Sequence, residues 1–142
     1  MIVICTTGRI KNKRRVEEFI HDCFNHYFDG RLKRDIEVEV RFKTQLDKGN
    51  VAGYCSGSRD DILIEIAKDY KNAKWLCRNL AHEITHAKQY IRGEVNDYDY
   101  KWRRHGTIED CADYTYSKFP WETEAKNQER ELVKLYYDGW EQ

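Results

Sequence analysis

Residues 72–94 read NAKWLCRNLAHEITHAKQYIRGE, and this stretch organises everything around it. Leu76, Leu80, Ile84, Ala87 and Ile91 recur at the three-to-four spacing of an amphipathic helix. Asn72 suits the N-cap, Arg92 falls in the last turn and Gly93 suits the stop. At about 100° per residue, His82 and His86 stand some 40° apart, on a different side from the apolar stripe. Residues at i and i+4 are neighbours on a helix, so both imidazoles can reach one ion.

The spacing is also improbable by accident. With 5 His in the chain, a random His-Glu-x-x-His should occur only about 0.02 times. Zinc, held at about 2.0–2.1 Å from each imidazole nitrogen, is the expected occupant. Glu83 follows His82 directly and can lean towards a water at such an ion without itself being a ligand. A structural zinc is disfavoured, because closed structural sites usually recruit cysteine. Cys77 lies five residues before His82, off the histidine face.

The rest of the chain frames this helix. The "IVIC" of residues 2–5 reads as a short buried strand. Val16, Phe19, Ile20, Cys23, Phe24, Tyr27 and Phe28 mark an amphipathic helix over 12–29, with Gly30 to end it. "DIEVEVRFK" (35–43) alternates apolar and charged residues, the pattern of a strand with one wet face. "VAGYC" (51–55) reads as a short strand within a polar stretch, and "DILIEIAK" (61–68) as another strand. Residues 94–119 are polar, aromatic and irregular. Pro120 suits the first turn of a final helix running to about Asp138. The expected fold is α+β, a small mixed sheet packed on helices, with residues 1–142 as one domain.

Composition excludes several functions. Lys plus Arg is 25 and Asp plus Glu is 25, so no global charge draws in nucleic acid or an acidic membrane face. No apolar run approaches the roughly 20 residues of a membrane span, and the N-terminus lacks the order of a signal peptide. Five cysteines without close pairs suggest free thiols. The expectation is a cytoplasmic monomer acting on a protein or peptide, with no nucleic-acid or membrane partner.

"HEITHAKQYIRGE" followed by "PWETEA" resembles small phage and bacterial metallopeptidases of the zincin fold. The likeness rests on His82, Glu83, His86, Gln89, Tyr90, Gly93 and Glu94, then Pro120, Trp121, Glu122, Glu124 and Ala125. It covers about 45 residues of the C-terminal half; the N-terminal half agrees only in its order of elements. In the related gluzincin branch a glutamate on a later helix is the third ligand, with a small residue three positions on. Glu122 and Ala125 fit that pattern, and Glu124 is the rival should the first turn shift phase. Lys126 stands where gluzincins often carry an aspartate, so an outer partner for the histidines must come from elsewhere. The Spartan-type proteases place a third histidine before a glycine, which "RRHG" offers at His105, and His105 is also a candidate oxyanion donor.

The resemblance implies a zinc metallopeptidase in which His82, His86 and Glu122 hold the metal and Glu83 is the general base. Substrate would lie along a sheet edge, for which "VAGYC" is the candidate. The alternatives are a DNA-associated protease of the Spartan kind and a non-catalytic zinc-binding module.

Overall fold

The computed structural model describes residues 1–30, 32–46, 52–68 and 72–138. Its elements are β1 (Ile2–Thr7), α1 (Lys13–Phe28), β2 (Ile36–Lys43), β3 (Gly53–Gly57), β4 (Asp61–Ala67) and α2 (Ala73–Ile91). They are followed by β5 (Lys101–Arg104), β6 (Thr107–Asp110), a single 3-10 turn (Tyr116–Lys118) and α3 (Pro120–Tyr136). The fold is α+β, as the pattern of periods implies.

The main sheet runs β1-β2-β4-β3. β1, β2 and β4 are parallel, whereas β3 pairs antiparallel with β4 and forms one edge. Parallel neighbours need a crossover, and α1 supplies the one between β1 and β2. β2 alternates as its sequence does, with Ile36, Val38, Val40 and Phe42 buried. β1 departs from expectation: it alternates as the central strand β2 does, so Val3 and Cys5 point to the exposed face of the sheet and only Ile2, Ile4 and Thr6 are partly covered. Val51 of the expected "VAGYC" strand lies outside the described residues; the strand itself runs Gly53–Gly57.

α2 is central. Its Asn72 side chain accepts the Trp75 N–H at 2.9 Å, and Gly93 turns the chain away at φ 71°, a left-handed conformation that glycine adopts without strain. Leu76, Leu80, Ile84, Ala87 and Ile91 are buried as the stripe predicts. Thr85, Lys88 and Gln89 are buried as well, because α3 closes over the side of α2 away from the sheet. That is a correction to a helix with one core face, and it puts polar side chains between two helices, where each must find a partner.

The 94–119 connection is more ordered than its composition implies. β5 and β6 form an antiparallel hairpin turned by His105 and Gly106, both at positive φ. Tyr100, Phe119 and Trp121 then stack, with centroids 5.7 and 4.5 Å apart. This aromatic stack joins the segment before the hairpin to the start of α3, which fixes where Glu122 enters. Among the described residues no helix is long and apolar enough to cross a membrane, and the five cysteines are free.

Candidate metal centre

α2 carries His82, Glu83 and His86 to a cleft of about 420 Å³ beneath the edge strand β3. α3 delivers Glu122 in its first turn, with Pro120 at the start as the fixed φ of proline favours. The His82 Nε2 lies 3.2 Å from Glu122 Oε1, and the His86 Nε2 lies 3.2 Å from Glu122 Oε2. The edge of a tetrahedron with bonds of about 2.0–2.1 Å is about 3.3 Å. His82, His86 and Glu122 can therefore hold a metal ion, their donor atoms all within 4.8 Å of one another.

The outer hydrogen bonds decide which nitrogens face that ion. His82 Nδ1 meets Glu129 Oε2 at 2.8 Å, and a carboxylate can only accept, so Nδ1 carries the proton. Glu129 is itself held by Arg78 Nε at 2.9 Å. His86 Nδ1 meets Gln89 Oε1 at 2.8 Å. The Gln89 amide nitrogen donates to the Trp121 carbonyl at 3.0 Å and to Glu124 Oε1 at 2.9 Å. Both of those are acceptors, which fixes the amide orientation and places the His86 proton on Nδ1.

Both Nε2 atoms thus turn towards an anionic carboxylate. The set balances only with a cation among the three groups, either protons on the imidazoles or a metal ion. Burial alone would lower the His82 pKa, yet its hydrogen bonds to Glu122 and Glu129 override that and raise it to about 10. His86 is raised for the same reason, burial being overcome by Glu122. Glu122 is held well below the carboxylate range; burial opposes this, and the two histidines outweigh it.

Glu83 differs from its neighbours. It is 8 % exposed, and burial raises its pKa against the lowering effect of the two histidines. β3 passes so close that a Cβ on Gly53 would sit 3.0 Å from Glu83 Cγ and 3.1 Å from Oε2. Glycine at 53 is what lets an edge strand run over this carboxylate. Across the cleft, Tyr116 faces Glu122; burial and that negative charge push its phenol up to about 12.

The rival third ligands are elsewhere. Glu124 lies in an ion cluster with Lys88 and Arg104. His105 is exposed at the hairpin turn and lines a separate groove with Arg59 and Arg92, so it is placed neither as ligand nor as oxyanion donor. Sequence reasoning missed Glu129, although it lies seven residues after Glu122, two turns along the same helix face. It also missed the part played by Gln89 and by Tyr116.

No protein-family model, curated protein or solved structure matches this chain.

Proposed function

We propose that the chain is a zinc-dependent peptidase of the zincin kind, with His82, His86 and Glu122 as the metal ligands. The observation that carries the reading is the pairing of a two-histidine, one-carboxylate set with a separate buried carboxylate, Glu83, under β3, an edge strand among the described residues. Three protein ligands with one position left open are the donor set of catalytic rather than structural zinc. Bound there, zinc supplies Lewis acidity, acidifying water and polarising a carbonyl.

The chain's own residues do the remainder. Glu83 makes no hydrogen bond or ion pair to the described residues, so its oxygens are free for water. Its raised pKa suits a base that takes a proton and returns it to a leaving amine. The Tyr116 phenol lines the same cleft beside Glu122, within reach of an oxygen on which negative charge would develop, and is the candidate donor to it.

The edge strand orients the substrate. Ala67 N–H donates to the Ala52 carbonyl at 3.0 Å, so Ala52, and by alternation Tyr54 and Ser56, point their backbone groups at β4. Gly53 and Cys55 then turn theirs outward. An extended peptide adds to that edge as a further strand, which places its backbone beside Glu83.

A non-catalytic zinc module would need the same three ligands but has no use for a desolvated Glu83. The DNA-associated alternative draws on a groove of about 930 Å³ lined by Lys33, Arg34, Arg59, Arg92 and Arg103. Several of these cations already have partners: Arg34 binds Asp60, Arg92 binds the Tyr27 carbonyl and Arg103 binds Asp99. We therefore prefer the plain peptidase. Elemental analysis together with a peptide-library digest tests it. The wild type should contain zinc and cut, and Glu83→Gln should contain zinc and not cut. A Glu83→Gln variant that cuts at the wild-type rate overturns the reading.

A further inference from the structure

Four charged side chains close on one another beside the metal centre without touching it. Lys88 Nζ lies 2.9 Å from Glu94 Oε1 and 2.6 Å from Glu124 Oε1. Arg104 Nη1 lies 2.7 Å from Glu124 Oε2, and Arg104 Nε lies 3.4 Å from Glu94 Oε2. The quartet is neutral, and Lys88 is only 2 % exposed. It joins α2, the turn after it, β5 and α3.

As a stabilising device such a cluster is a poor choice. Desolvating two ion pairs costs about as much as their attraction returns, and apolar residues of the same volume often serve as well. What an apolar core cannot do is orient a buried amide. Gln89, fully buried, lies between Glu124 and His86. If its amide were flipped, the oxygen would face the Trp121 carbonyl and the Glu124 carboxylate, losing two hydrogen bonds and opposing two acceptors. The amide nitrogen would then donate to His86 Nδ1, forcing the imidazole proton onto Nε2, where no metal can bind.

We propose that Glu124, clamped by Lys88 and Arg104, is a positioning residue that acts through Gln89 to hold His86 with its Nε2 lone pair turned to the metal site. This rests on the metal-centre reading above and deepens it. It gives the second acid of the "PWETEA" stretch a task distinct from that of Glu122. Glu124 fixes the tautomer of a ligand, and Lys88 and Arg104 fix Glu124.

The test compares Gln89→Leu, Glu124→Gln and Glu94→Gln with wild type. Zinc affinity is measured by chelator competition, and the His86 ring protons by nitrogen-edited NMR of the zinc-loaded protein. Wild type should show a protected Nδ1 proton on His86. Gln89→Leu should lose that signal and bind zinc 10–100-fold more weakly, the usual effect of removing an outer-shell partner. Glu124→Gln should broaden the signal and weaken zinc on the order of 10-fold. Glu94→Gln, which breaks the same quartet through a side chain that makes no hydrogen bond to the Gln89 amide group, should lower the melting temperature and leave zinc affinity unchanged. Equal zinc affinity in Gln89→Leu and wild type overturns the positioning role alone, as does an equal loss in Glu94→Gln and Glu124→Gln. A wild type that takes up no zinc overturns the metal centre, and the positioning role falls with it.

Discussion

The His82 Nδ1 donates to Glu129 at 2.8 Å across the α2–α3 interface, so one carboxylate on α3 orients the His82 ring while another, Glu122, faces the same ring from its Nε2 side. Glu129 also binds Arg78, which leaves it a single stable position. Replacing Glu129 by Ala should weaken zinc binding 10–100-fold, as loss of an orienting partner does. Chelator competition reads the change. An unaltered affinity would mean that His82 needs no partner for its tautomer.

Removing a ligand should do more than removing its partner. Glu122→Ala and His86→Ala should lose zinc under conditions where wild type is saturated, while His105→Ala should retain it. Metal content after dialysis distinguishes these outcomes. Zinc loss in His105→Ala with retention in Glu122→Ala would favour the Spartan-type ligand set.

Protonation and metal binding should compete. The ordinary histidine pKa is 6.5, and in the folded chain His82 is raised to about 10. Its proton therefore stabilises the metal-free fold fully below about pH 6.5, and that contribution is lost as pH rises through about 10. Near pH 7 the His82 imidazole of the metal-free protein is therefore cationic, and His86 is shifted in the same direction by Glu122, so zinc must displace at least the His82 proton. Titration calorimetry in buffers of different ionisation heat should show proton release on binding. Release should diminish, and affinity rise, as pH climbs. A binding enthalpy independent of buffer would contradict this.

Gly53→Ala tests the close pass of β3 over Glu83. The added Cβ would meet Ile66 Cδ1 at 2.9 Å and the Glu83 side chain at 3.0 Å. Overpacking of this kind costs about 1–3 kcal/mol, so the melting temperature should fall. Zinc content should not, because no ligand is touched, whereas peptide hydrolysis should drop as Glu83 is pushed from its place. Thermal unfolding and a peptide assay on one preparation read both effects. Wild-type turnover with a lowered melting temperature would separate Gly53 from the chemistry.

Within single elements, the chain was legible from residues alone. The cap at Asn72, the stripe from Leu76 to Ile91, the phase of His82 against His86 and the alternation of β2 all follow from local periods and local hydrogen bonds. Those depend on 100° per residue in a helix and on two residues per repeat in a strand, whatever else is nearby. Pro120 marked the start of α3 because a fixed φ and a missing N–H are compatible with little else. What no local period contains is the rotation of one element against another. Glu122 and Glu124 are equally good helix residues two positions apart, and only the docking of α3 on α2 turns the first to the histidines and the second to Lys88. Arg104 joins Glu94 and Glu124 because an aromatic stack, not a repeat, ties the segment before the hairpin to α3. Glu129 reaches His82 from 47 residues away, through an interface that exists only once both helices are packed.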